Sequence, residues 1–221
     1  MKKFNLSLAA FLAMGTFAMA GGDIAPVEPV VEAPVVVEEP STGAFYVGIA
    51  YSAANYDETM SYTLTGVTDL PQTGSVSGDE DYSAVMLQAG YKFNPYIAVE
   101  GRYWFGLEED VGDNTDLTVD TWGIYVKPMY PVTEAFDIYA LLGYADSDVE
   151  LSGGGTTVSP PYDMDGFSWG IGGAYSFTEN LAVFVDYTSL YDDDNTVTYD
   201  VGTANFDEEI TSWNFGVTYT F

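Results

Sequence analysis

The sequence predicts an all-β fold, an eight-stranded antiparallel up-and-down transmembrane β-barrel. Three observations carry that expectation. Eight segments alternate apolar and polar residues with period two, as strands do when their two faces meet different surroundings. Short and long connections between the segments strictly alternate, which puts all the long loops on one rim, as in outer-membrane barrels. The few cations of the body of the chain share the polar parity with an equal number of acids. A closed interior demands that balance, so the polar face points inward and the apolar face meets lipid.

Residues 1–20 read as a secretory signal. Lys2 and Lys3 open it, Leu6 to Phe17 form a short apolar run, and Ala18-Met19-Ala20 offers a small-x-small cleavage site. Residues 21–42 are rich in Pro, Val and Glu. Proline every few residues blocks both helix and paired strand, so this stretch is expected to be an extended periplasmic linker. It serves as a spacer or as a docking segment for a periplasmic partner. The barrel occupies residues 43–221.

The strands are expected near 44–56, 81–93, 96–107, 118–130, 136–147, 165–177, 181–191 and 210–221. Each presents an apolar outward set. Phe45, Val47, Ile49 and Tyr51 form the first, and Trp213, Phe215, Val217, Tyr219 and Phe221 the last. Aromatics gather at the ends of these sets and aliphatics in the middle, the pattern of two interfacial girdles around a hydrocarbon band. The turns at 94–95, 131–135 and 178–180 are short. The connections at 57–80, 108–117, 148–164 and 192–209 are long. Met60 to Val67 and Thr196 to Val201 alternate enough to carry hairpins outward, and a ten-stranded count using part of the first long loop is the alternative.

The opposite parity collects a predicted lumen charge network of Lys92, Glu100, Arg102, Lys127, Asp137 and Asp186. Counted from the short turns, Lys92 and Asp137 lie near the periplasmic rim. Glu100, Arg102, Lys127 and Asp186 lie at mid-barrel. An arginine on the lipid face at that depth would cost roughly 2–4 kcal/mol. Inside, paired and hydrogen-bonded, it is tolerated.

Without the signal, three cations face 34 acids, a net charge of −31. A nucleic-acid partner is excluded by that charge. The long connections and their flanks hold 24 of the acids. Asp110, Asp113, Asn114 and Asp116, and Asp192, Asp193, Asp194 and Asn195, are oxygen-rich candidates for Ca²⁺ or Mg²⁺, but they lack the spacing of a calcium loop. No cysteine and no histidine occur, so thiolate metal sites and Ser-His catalysis cannot be built. No cofactor is expected.

On the signal segment, the eight alternating strands, Val99-Glu100-Gly101-Arg102-Tyr103 and the aromatic terminus, the chain resembles small outer-membrane β-barrels of the OmpA/Opa-like type over about residues 43–221. The resemblance implies a Gram-negative outer-membrane location, with lipid and lipopolysaccharide as surroundings. It also implies that Phe215, Tyr219 and Phe221 form the signal read by the barrel-assembly machinery. Full-length OmpA-type proteins continue into a peptidoglycan-binding domain, whereas this sequence ends at strand eight. The expected function is non-enzymatic: a barrel displaying acidic loops for envelope structure or surface recognition. The alternative is a narrow porin-like channel for ions or small solutes. An enzyme acting on lipid A or phospholipid lacks the histidine its chemistry leans on.

Overall fold

The computed structural model describes residues 43–65, 72–112, 115–153 and 155–221. The expected signal and linker, residues 1–42, lie outside them, as do Asp113 and Asn114. The elements are β1 (Ala44–Leu64), β2 (Thr73–Asn94), β3 (Ile97–Gly106), β4 (Glu109–Gly112), β5 (Thr115–Pro131), β6 (Phe136–Gly153), β7 (Thr156–Val158), β8 (Met164–Ser176), β9 (Leu181–Tyr199) and β10 (Gly202–Thr220). Every pairing is antiparallel. The ring runs β5-β3-β2-β1-β10-β9-β8-β6 and closes through β6 on β5. Eight strands therefore make the barrel. The short β4 and β7 pair only on the outer ends of β5 and β6, so the added pieces belong to the second and third long connections and not to the first.

In the spanning part closure leaves no free sheet edge, which is what a bilayer demands of β-structure. β1 and β10 seal the ring from Tyr46 opposite Thr220 up to Leu64 opposite Gly202. The Phe221 amide adds a further bond to the Phe45 carbonyl at 2.9 Å.

Side-chain parity holds through the spanning part of each strand. Phe45, Val47, Ile49 and Tyr51 are exposed on β1, as are Trp213, Phe215, Val217 and Tyr219 on β10, while Tyr46, Ala50, Ser52 and Asn214 are buried. The aromatic ends meet across strands. Phe45 and Tyr91 lie 4.7 Å apart at the short-turn rim. Toward the other rim Trp169, Tyr187 and Trp213 form a run with ring separations of 5.9 and 5.4 Å. Aliphatic residues fill the band between, as lipid contact favours.

The strands are longer than the alternation predicts. β1 has 21 residues, whereas crossing a bilayer takes about 9–11. The surplus is all on the long-loop side. Residues 57–64, 73–80, 192–199 and 202–209 were expected in long connections and are instead paired strand. β9 and β10 are joined by Asp200 and Val201 alone. Above the membrane both faces of a hairpin are wet, so apolar alternation persists only in part, at Met60 and Thr196 onward, although the backbone ladder continues throughout. A bulge at Leu190 shifts the β9–β10 register just below this extension.

Candidate functional site

Within the bore, β3 supplies Glu100 and Arg102, two residues apart and so on the same inward face. β5 supplies Lys127, and β9 supplies Asp186. In the ring β3 and β9 are four strands apart in either direction, so they stand on opposite walls. Arg102 crosses between them. Its Nη1 donates to Asp186 Oδ1 at 2.9 Å and its Nη2 to Asp186 Oδ2 at 2.7 Å, while its Nε donates to Glu100 Oε1 at 2.5 Å. A planar guanidinium is the side chain able to make that fork and a lateral bond together. Lys127 Nζ donates to Glu100 Oε2 at 2.9 Å and lies 4.0 Å from the Tyr139 ring centroid. Two cations and two carboxylates thus form a neutral set.

The remaining lone pairs are served by neutral donors. The Tyr46 hydroxyl donates to Glu100 Oε2 at 2.5 Å, Tyr139 to Asp186 Oδ2 at 2.8 Å, and Asn214 Nδ2 to Asp186 Oδ1 at 2.8 Å. Asn214 Oδ1 in turn accepts from Trp104 Nε1 at 2.8 Å and Ser52 Oγ at 2.5 Å. The side chains of Glu100, Arg102 and Asp186 are fully buried. Charges so desolvated are tolerable only when every member is paired and hydrogen-bonded. Glycines make the room: a Cβ on Gly143 would collide with the Ile124 carbonyl and the Tyr125 ring.

Lys92 and Asp137 were expected in the same network and stand outside it. They line the periplasmic mouth below, beside Tyr46, Lys127 and Tyr139, and Lys92 Nζ lies 5.7 Å from the Tyr46 ring centroid. Their parity is inward as expected, but among the described residues neither forms an ion pair within 4 Å.

Just outward of the network the bore fills with apolar side chains. Tyr82, Val119, Val149, Met164, Leu190 and Ile210 are all buried and belong to one packed cluster. Beyond this layer lies a second polar group, centred on Glu208. It was expected to be a solvated acid of the last long connection, yet it is 1% exposed. Its Oε1 accepts from the hydroxyls of Tyr56 and Tyr162, both at 2.7 Å. Glu208 shares parity with Ile210, Ser212 and Asn214, and that count alone would have placed it inside.

Among the described residues the oxygen-rich candidates are not gathered into a metal site. Asp192, Asp193 and Asp194 are consecutive on β9, so alternation sends the middle one to the opposite face. Asp110 is the backbone partner of Asp116 in the β4–β5 register. Among the described residues no group of three or more acidic side chains is placed to hold a metal ion.

A closed eight-stranded meander with a lipid-facing apolar belt and a charged, packed interior defines a small transmembrane β-barrel. The chain belongs to the outer membrane protein beta-barrel domain family, whose model matches residues 7–221. It is accordingly a bacterial outer-membrane protein. Among solved structures it is similar to OprG from Pseudomonas aeruginosa, at 16% identity and a TM-score of 0.59 over 81% of this chain and 96% of that one. Neisserial surface protein A gives 16% and 0.53 over 80% and 97%. Ail of Yersinia pestis gives 16% and 0.51 over 81% and 99%. At such identities the likeness concerns the fold. No functionally curated protein matches the chain.

Proposed function

We propose that this protein is a non-enzymatic, non-conducting barrel whose work is done at its outer end, as an envelope-structural or surface-recognition element. The observation that carries the reading is the double seal of the bore. The Arg102–Asp186 bridge spans it at mid-membrane, and the layer around Met164 and Ile210 fills it above. An eight-stranded barrel is narrow enough for its own side chains to fill it. A narrow channel would need a continuous water path past both levels.

What projects beyond the seal is paired strand carrying acids and no Lys or Arg. One structure of Ail holds sucrose octasulfate, a heparin analogue. Such a polyanion is unsuited to the outer end of this chain, where charge selects for cationic partners. Anionic lipopolysaccharide is repelled by the same charge unless divalent ions intervene. During biogenesis Phe215, Tyr219 and Phe221 act as the assembly signal. Conductance of the purified barrel in planar bilayers tests the reading. A flat trace at physiological salt is expected, and discrete openings would overturn it.

A further inference from the structure

At the outer mouth β1 and β10 set Glu58 directly across from Glu208, on the inward parity of both strands. Glu208 Oε1 has two donors, but its Oε2 is buried without a hydrogen-bond partner among the described residues. The Tyr56 hydroxyl that serves Glu208 also lies 3.1 Å from Glu58 Oε2. A phenol carries one proton and can satisfy only one carboxylate at a time. Two acids therefore share too few donors. Among the described residues no cation makes up the deficit, because Lys92, Arg102 and Lys127 all lie inward of the apolar layer.

Beside this pair is a cavity of about 300 Å³. Tyr56, Glu58, Glu80 and Ser77 form its polar side, and Met60, Val76, Leu117 and Leu151 supply an apolar floor. A bare metal ion would leave the apolar floor uncovered, and among the described residues no three acidic side chains are placed to hold one. A positive head group on an apolar stem suits both halves. Carboxylates and a tyrosine ring receive the charge, and the stem covers the floor.

We propose that the outer mouth binds a primary ammonium or guanidinium group carried on an apolar stem. Glu58 meets the head group at the cavity wall. The Tyr56 hydroxyl then turns wholly to Glu208, whose unpartnered oxygen adds the buried negative charge behind it. This deepens, and rests on, the reading of the outer end as a recognition surface. The same head group and stem occur in free alkylamines and in lysine or arginine side chains flanked by apolar residues.

The test is calorimetric titration of the full mature barrel in lipid nanodiscs with n-hexylguanidinium, n-hexanol and guanidinium. Saturable one-site binding of n-hexylguanidinium is expected, with the other two at least tenfold weaker. Glu58→Gln and Glu208→Gln, each checked for a heat-modifiable gel shift, should both weaken it at least tenfold. Glu58 is half-exposed, so its variant remains informative if Glu208→Gln misfolds. Equal binding by n-hexanol, or unchanged binding by a folded Glu58→Gln, would overturn the site. Competition by an acetylated Leu-Lys-Leu amide identifies a peptide source, and competition by n-hexylamine alone identifies a free amine. Loss of the site leaves the bilayer trace flat and the closed-barrel reading standing. Channel openings would remove that reading whatever the titration shows.

Discussion

Arg102 on β3 and Asp186 on β9 stand on opposite walls of the bore and are joined by two parallel bonds of 2.9 and 2.7 Å. Among the described residues no other ion pair of the interior crosses the full diameter: Glu100, the remaining acid of the set, lies on the same strand as Arg102, and Lys127 sits on the adjacent β5. The bridge therefore ties walls that share no backbone bond, a constraint the sheet ladder cannot supply.

Removing the guanidinium strands two buried carboxylates with Lys127 as their remaining cation. Arg102→Met keeps the stem and deletes the charge, and it should cost about 3–5 kcal/mol of stability. Asp186→Asn should cost less, because Arg102 retains Glu100. Urea unfolding in lipid vesicles, followed by tryptophan fluorescence, reads both. An unchanged midpoint for Arg102→Met would mean that the network adds nothing to the fold.

The spanning strands and this network were legible from parity. An inward arginine at mid-membrane needs acids, and Glu100 and Asp186 were the inward acids at its height. The outer half was legible only in part, where Met60 and Thr196 open alternating runs that carry the hairpins outward. Thr73-Gly-Ser-Val-Ser-Gly-Asp-Glu80 reads as loop by composition, yet it pairs with β1 throughout, because the ladder tolerates polar residues on both faces once lipid is gone. Glu208 was hidden for the same reason. It sits among acids that really are solvated, and only the shared count with Asn214 and Ile210 sets it apart. That two residues six apart on β10 serve separate polar levels depends on the apolar layer between them, which alternation alone does not reveal.

Cutting the bridge should not open the bore. In Arg102→Ala/Asp186→Ala the layer of Tyr82, Val119, Val149, Met164, Leu190 and Ile210 still closes the outer side. The variant is expected to stay silent in planar bilayers. Adding Met164→Ser and Ile210→Ser to the same background should produce openings, since hydroxyls admit water where methyl groups exclude it. Conductance in the double variant alone would show that the apolar layer is no barrier.

Close packing around Tyr125 sets a limit on residue size. Gly143 lies opposite Tyr125 on the β5–β6 pair, and a methyl group there would meet the Ile124 carbonyl, which is backbone and cannot rotate away. Gly143→Ala should destabilise the barrel by about 1–3 kcal/mol through overpacking. Gly78→Ala, where a methyl group meets nothing within 4 Å, is the control and should be close to neutral. Both are read as urea midpoints, and a neutral Gly143→Ala would mean the strands separate more easily than the fold implies.

Stability of the outer extension should depend on pH in the direction opposite to that of paired surface acids. Burial, with Glu58 nearby, raises the Glu208 carboxyl above its ordinary value, although Tyr56 and Tyr162 oppose the rise. Burial, then Asp192, Asp57 and Asp207, raises Glu209 likewise. A carboxyl with a raised folded pKa binds protons more readily folded than unfolded, so stability declines as pH rises through the folded value. Between the ordinary value of 4.5 and that higher value, acidification should tighten β1 and β10 beyond Tyr56. Amide exchange in those segments, corrected for intrinsic rates, should slow as the pH is lowered from about 7.5 toward the ordinary value of 4.5. Glu208→Gln should blunt the change, and an equal response in that variant would assign the effect to the other acids.

The seam offers the last test. Phe221 places its amide on the Phe45 carbonyl at 2.9 Å, and its ring lies 5.2 Å from that of Tyr219 in an edge-on contact. Deleting Phe221 removes one backbone bond of a seam that runs from Tyr46–Thr220 to Leu64–Gly202, so a refolded barrel should lose only about 0.5–1.5 kcal/mol. If the residue also acts as an assembly signal, the loss in cells should be far larger than the loss in vitro. The comparison is the fraction of heat-modifiable protein in outer-membrane preparations against the urea midpoint of refolded material. A severalfold drop in membrane insertion with a nearly unchanged midpoint is expected. Parallel losses in both would reduce Phe221 to a structural residue.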